Sequence, residues 1–350
     1  MKIALLAPFE EVVPPPKYGG TELVVANLAD ELVELGHDVT LFASGDSTTK
    51  ARLIPSVEKA IRSELAHNPR TWSYLQWQGF HNIVQALETE RYDIIHNHCD
   101  WPFLIIDRLV RTAPIITTIH NPVQFSHGVP AIYERYPYVS ISKAQRRTIP
   151  ELNYLATVYN GIRVESFELS INPGKYLAFL GRLSPDKGPE QAIEIAKRTG
   201  QKLVMAGKVD PPERHYFQKV LKPLIDGKQI QFIGEVDHPA KVELLKNAKA
   251  LLSPIQWDEP FGLTNIEAMA CGTPVLALRR GALPELIIDK QTGFLCRNVD
   301  EMVRRVADIP SLDRAACRQH VEKHFTASQM AKGYLKVYEK LIKQPALAKH

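Results

Sequence analysis

Two hydrophobic periods alternate along the chain. Apolar runs of five or six residues recur at Lys2–Ala7, Asp38–Ala43, Pro114–Ile119, Tyr176–Leu180, Lys202–Ala206, Ala250–Pro254 and Pro274–Leu278. Runs this short and this continuous suit strands buried on both faces, as in a parallel sheet. Tyr92–His98, Tyr138–Ser142 and Gln229–Ile233 extend the strand series. Between them lie longer stretches with apolar residues at helical spacing. From Thr21, the positions Leu23, Val24, Leu28, Leu32 and Leu35 follow that spacing until Gly36 closes it. Residues 71–89 read as a helix whose Trp72, Tyr74, Leu75, Trp77 and Phe80 belong to the core, and 239–247 and 330–343 read as further helices. Strand, helix and strand in succession make βαβ units, and repeated βαβ units make doubly wound parallel sheets. Residues 44–68 look irregular and polar, and 163–175, with Asn172-Pro173-Gly174, look like a linker.

The stretch Glu259-Pro260-Phe261-Gly262-Leu263-Thr264-Asn265-Ile266-Glu267-Ala268-Met269-Ala270-Cys271-Gly272 sits between two of those strands. Residues 262–270 read as a short helix with Gly272 as its left-handed stop. Such a helix directs free backbone N–H groups and the positive end of its dipole beyond the strand ends, where a phosphate is a fitting guest. Glu267 falls near the apolar face of this helix. If buried, its carboxylate must have hydrogen-bond donors, and two adjacent sugar hydroxyls would serve. The alternative is an exposed glutamate favoured by the dipole. Glu259 reads either as a ligand or as a polar loop residue.

Other candidates lie at strand ends. Gly19-Gly20 follows the first strand, where backbone can approach a phosphate closely, although a tight turn explains the pair equally well. His96 and His98 stand two apart with no evident third ligand, so a metal is not expected. Asp100 and Trp101 could touch an acceptor or cap a helix. His120 ends a strand and reads as a ligand contact or a satisfied structural histidine. Arg182 and Lys187 flank a Ser-Pro-Asp turn, Gly181-Arg182-Leu183-Ser184-Pro185-Asp186-Lys187-Gly188. A turn of that length can bring a guanidinium fork and an ammonium to one diphosphate, or leave both as solvated charges.

A length of 350 residues suggests two domains. The net charge of +4 gives no case for nucleic acid. Cys99, Cys271, Cys296 and Cys317 are scattered without metal spacing and read as reduced thiols. The apolar N-terminus is interrupted too early for a signal peptide, and no apolar run reaches membrane-spanning length. A cytoplasmic protein is expected. Neither G-x-G-x-x-G nor a P-loop occurs, which argues against a nicotinamide dehydrogenase or a P-loop kinase.

Glu259 and Glu267, in Glu-Pro-Phe-Gly-Leu-Thr-Asn-Ile-Glu-Ala-Met-Ala-Cys-Gly-Thr-Pro-Val, resemble the signature of retaining glycosyltransferases of family 4, the group 1 glycosyltransferases. The Gly181–Gly188 stretch is similar to that family's Gly-Arg-Leu-x-x-x-Lys-Gly element, and Asn160-Gly161 to its hinge. The resemblance is strongest over 175–295. It implies the α/β GT-B fold, two Rossmann-like doubly wound domains facing across a cleft. Residues 1–163 with the returning helix 326–350 would form the acceptor-side domain, and 164–325 the nucleotide-sugar domain. It also implies a retaining, metal-independent hexosyltransferase without a cofactor. Arg182 and Lys187 would bind the donor diphosphate, together with the amides of Leu263 and Thr264. Glu267 would hold the ribose, and Glu259 the sugar hydroxyls with the amides of Phe261 and Gly262. His120 would contact the sugar, Gly19 and Gly20 would approach the donor, and backbone near Gly234 and Val236 would receive the base. Glu259, His120, Arg182 and Lys187 are the expected catalytic set. Family members commonly have His-Asp where this chain has His120-Asn121. The lack of any DxD motif agrees with a metal-free leaving-group site. UDP-glucose is the first donor expected and GDP-mannose the second. The acceptor could be a small molecule, a glycan or a lipid-linked sugar, so peripheral membrane contact stays open. A sugar-nucleotide epimerase and a silent binding protein are the other readings.

Overall fold

The computed structural model describes residues 1–17, 19–100, 104, 113–121, 134, 136–172 and 174–343, apart from the side chains of 65–67. Trp101 and Pro173, named above, lie outside them. The chain divides into two compact units, Met1–Gly161 with Ala327–His350, and Ile162–Thr326.

The first unit holds a parallel sheet of seven strands: β1 (Lys2–Leu6), β2 (Asp38–Ser44), β3 (Arg52–Val57), β4 (Ile94–Asn97), β5 (Ile115–Thr118), β6 (Tyr138–Ser140) and β7 (Tyr154–Thr157). Their order is β3-β2-β1-β4-β5-β6-β7. The second unit repeats the plan with β8 (Tyr176–Leu180), β9 (Leu203–Ala206), β10 (Ile230–Phe232), β11 (Ala248–Ser253), β12 (Val275–Leu278) and β13 (Gly293–Cys296), ordered β10-β9-β8-β11-β12-β13. Central strands such as β4, β5, β9 and β12 are buried at every position, which is why they read as unbroken apolar runs. In each sheet the order reverses once, between β1 and β4 and between β8 and β11. Loops leaving the carboxyl ends of those strand pairs diverge and open a crevice, the usual ligand position in open α/β sheets.

Three expectations are corrected. Residues 44–68 are not irregular: they contain β3 and the helix Arg62–His67. β3 is an edge strand and carries Pro55, a residue that edge strands tolerate and that blurs a strand pattern. The aromatics of 71–89 are not all core. The helix Pro69–Thr89 starts at Asn68, whose side chain caps the amides of Arg70 and Thr71, and it buries one stripe of Gly79, Phe80, Ile83 and Leu87. Tyr74 and Trp77 fall off that stripe and are 67% and 58% exposed. Finally, 163–175 is no free linker. Val164 and Phe167 are buried, Ser170 N–H donates to Cys271 O (3.1 Å), and Arg318 donates to Phe167 O (2.6 Å).

The C-terminal helix Ala327–Lys343 returns to the first unit. Its Tyr334 and Tyr338 are fully buried, the latter with its hydroxyl 2.7 Å from Nδ1 of His96, whose Nε2 lies 2.8 Å from Thr118 Oγ1. Replacing Tyr338 by Phe removes one partner and leaves a ring nitrogen buried without another. We expect Tyr338→Phe to destabilise the first unit by about 1–3 kcal/mol, measured as a lowered urea midpoint with unchanged slope.

Candidate functional site

The crevice between β8 and β11 collects most of the residues singled out in the sequence. β8 ends in Gly181-Arg182, and a 3-10 turn, Pro185–Lys187, follows before Gly188 starts the helix Pro189–Thr199. Gly188 has φ +74°, and a Cβ there would stand 2.1 Å from Pro254 O. Only glycine therefore lets this turn close onto the loop after β11. Gln256 N–H donates to Asp186 O at 2.7 Å and ties the two loops. Gly281 plays the same part on the other side: its Cβ would meet the backbone of Glu259 at 2.4 Å, and Ala282 N–H donates to Glu259 O at 2.9 Å.

Between these ties the Lys187 ammonium is paired with the Glu259 carboxylate and sits 4.9 Å from the centre of the Trp257 ring. Trp257 Nε1–H donates to Glu259 Oε2 at 3.1 Å. Arg182 donates to Asp186 Oδ2 at 3.1 Å, and its Nε is buried without a hydrogen-bond partner. The turn places both cations in the crevice, but each is held by its own carboxylate. The Arg182–Asp186 pair is about one-third exposed, a setting in which an ion pair exchanges partners at small cost.

Helix Leu263–Ala270 begins after Gly262 at φ +96°, and no side chain caps it. The first amides, of Leu263 and Thr264, therefore have no side-chain acceptor from the cap position. Asn265 Nδ2 donates to Gly262 O at 3.0 Å, while its Oδ1 is buried and unpartnered. Glu267 is 2% exposed, so the reading as a surface glutamate fails. Its donor is Lys241, from the helix His238–Lys246, which pairs with Oε1. The sequence offered only the general signal that a buried carboxylate needs a cation; nothing in the spacing pointed to Lys241. Further along the crevice edge, Gly234 (φ +81°) accepts Gly207 N–H through its carbonyl at 2.9 Å, and Val236 is half-buried.

In the first unit, His120 is buried beside His98, with Nε2 of His120 2.8 Å from Nδ1 of His98 and the rings stacked 5.1 Å apart. Burial drives His120 down to about 3 and pushes His96 and His98 well below their usual range. All three are neutral near pH 7, so His120 offers hydrogen bonds and shape rather than charge. Among the described residues, no three potential ligands stand in a metal-holding group. Gly19, at φ +154°, is fitted against Pro15, whose Cβ would lie 2.6 Å from an added Cβ. Packing accounts for this glycine.

Removing Lys241 strands Glu267 in the interior. We expect Lys241→Met to cost on the order of 3–5 kcal/mol in chemical denaturation, and Lys241→Met/Glu267→Leu to recover most of it. Equal stability of the single variant and the parent would show that the pair carries no structural weight.

The family model described as Glycosyltransferase Family 4 matches residues 18–165, and that of Glycosyl transferases group 1 matches 163–323. An uncharacterized glycosyltransferase of Methanocaldococcus jannaschii is 27% identical over 84% of each chain. The crystal structure of AviGT4, a glycosyltransferase involved in avilamycin A biosynthesis, superposes with a TM-score of 0.72 at 25% identity over 98% of each chain. The Anabaena protein HepE in complex with UDP-glucose matches with a TM-score of 0.74 at 17% identity, covering 97% of this chain and all of that one. With two parallel α/β units on the GT-B plan and adjoining matches from residue 18 to 323, the chain belongs to the family 4, group 1 glycosyltransferases.

Proposed function

We propose that this glycosyltransferase moves a hexose from a nucleoside diphosphate sugar to an acceptor hydroxyl with retention of anomeric configuration, with UDP-glucose the first donor to test and GDP-mannose the second. The observation that carries the reading is the grouping of Arg182, Lys187, Glu259 and the uncapped start of helix Leu263–Ala270 in one crevice of the second unit. The preference for UDP-glucose draws support from HepE, a protein of the same fold crystallised with that compound.

In this reading Arg182 and Lys187 exchange their carboxylates for diphosphate oxygens, and the amides of Leu263 and Thr264 take the remaining charge. Charge grows on the leaving diphosphate as the bond from the sugar's anomeric carbon to its oxygen breaks. Donors already in place there stabilise that state without reorganising. These groups fill the part that a divalent cation plays elsewhere. Glu259, released from Lys187, accepts from sugar hydroxyls beside the amides of Phe261 and Gly262. The Oε2 side of Glu267 takes ribose hydroxyls while Lys241 stays paired with Oε1, and backbone near Gly234 and Val236 receives the base. Among the described residues of the crevice no side chain is assigned as a covalent nucleophile; the acceptor oxygen attacks from the face the diphosphate leaves, and its proton passes to a phosphate oxygen.

Calorimetric titration with UDP, GDP and ADP in the presence of a chelator tests the donor class, and turnover of the matching hexose conjugate tests the reaction. Arg182→Ala and Lys187→Ala should each weaken nucleotide binding by roughly 1.5–3 kcal/mol. Unchanged affinity in both would remove the diphosphate assignment. Release of an altered nucleotide sugar without an acceptor would favour an epimerase instead.

A further inference from the structure

The first unit has its own reversal of strand order, and a cavity lies there. It occupies about 380 Å³ at the carboxyl ends of β1 and β4, between Phe9 and Glu10 on one side and Cys99 and Asp100 on the other, with Trp72 and Phe80 as walls. A volume near the lower end of the ligand-pocket range fits one hydroxylated ring.

Two of its polar groups lack a partner, and a third is a buried carboxyl. Glu22 lines the cavity, is 5% exposed, and accepts a hydrogen bond from its own backbone N–H. Asp100 lines it as well. Asn121 Nδ2 donates to its Oδ2 at 3.2 Å, but Oδ1 is buried with no partner, and the residue is held at φ +54°, where a non-glycine residue is strained. Trp72 Nε1–H is also buried without an acceptor. Glu10, a third carboxylate, takes a hydrogen bond from Gln76 at 2.8 Å. The cation facing the cavity, Arg62, is paired with Glu11. Burial holds the Glu22 carboxyl up at about 7 and Asp100 at about 6. A group that is left unsatisfied in a closed polar site is costly unless a ligand completes it.

We propose that this cavity binds an acceptor bearing a primary ammonium group on a hydroxylated ring, with the ammonium between Glu22 and Asp100, a ring hydroxyl accepting from Trp72 Nε1–H, and the apolar ring face against Phe80. A neutral polyol would satisfy the acceptors one at a time. An ammonium, with three donors, can donate to both carboxyls at once. The described residues offer no group of three that could hold a metal ion in its place. The acceptor role rests on the transferase reading above; the binding does not.

Bound cation favours the ionised carboxyls, so their protonation falls on binding and protons are released. Glu10, Glu11 and Arg62 are the other charged groups facing them. The test is calorimetric titration of the full chain with D-glucosamine and D-glucose, which differ only in the amine, at pH 6.5 in two buffers of different ionisation enthalpy. We expect glucosamine to bind at least tenfold tighter than glucose, with net proton release and with affinity rising from pH 5.5 to 7.5. Glu22→Gln, a neutral isostere whose fold a thermal melt checks, should bring the two sugars to equal affinity. Equal binding in the parent, no binding of glucosamine, or a preference that survives both Glu22→Gln and Asp100→Asn would overturn the proposal. UDP-glucose binding on the same preparation separates the outcomes: its loss with intact glucosamine binding counts against the donor reading alone.

Discussion

Everything of chemical interest in this chain follows from one constraint, the polarity of an all-parallel sheet. Parallel strands must be joined by crossovers, so every strand of a sheet delivers its loop at the same edge. Where the winding reverses, two adjacent loops turn away from each other and leave a crevice that no side chain of the sheet fills. The chain does this twice. At one reversal stand the paired Lys187 and Glu259; at the other stand the buried Glu22 and an Asp100 whose Oδ1 has no partner. The polar residues there have no share in the cores, which are built from the strand interiors and the helix faces above and below them.

Keeping such a crevice in shape falls largely to glycine. The turn after β8 and the loop after β11 approach so closely at Gly188, and the loops at Glu259 and Gly281 so closely again, that any side chain would collide with backbone rather than with a movable group. Backbone does not yield as a lysine tip does. The glutamate and the lysine are therefore set by main-chain contacts on three sides, and their meeting does not depend on the long side chains finding one another from a distance.

Much of this was legible in the amino-acid order. β8, β11 and β12 are short apolar runs flanked by Gly and Pro, and the helix after Gly262 has an unmistakable start and stop. β3 was not legible, because an edge strand needs no continuous apolar face and here contains Pro55. Burial of Glu267 was arguable from its neighbours, whereas Lys241 was hidden, since its contact crosses 26 residues and depends on how two helices lie. The same limit applies to Lys187. Spacing shows that two cations share a turn and that Asp186 stands four residues after Arg182, yet the partner of Lys187, Glu259, is decided by the fold of a second loop. Trp72 and Trp77 belong to one helix, and only the direction of its buried stripe distinguishes a cavity wall from a surface residue.

In the transferase reading, the Lys187–Glu259 pair would give the crevice a form of selectivity by charge cancellation. An ammonium already neutralised, and covered by the Trp257 ring, presents little field to a passing anion. Inorganic phosphate could gain the lysine only by leaving the buried glutamate without its cation, with Trp257 Nε1–H still donating to it, an exchange with small net gain. A ligand that carries negative charge at one end and hydroxyl donors at the other opens the pair and satisfies both halves together. In the transferase reading, the empty site thus stays quiet toward the abundant small anions of its surroundings and responds to the one kind of molecule that unites both features.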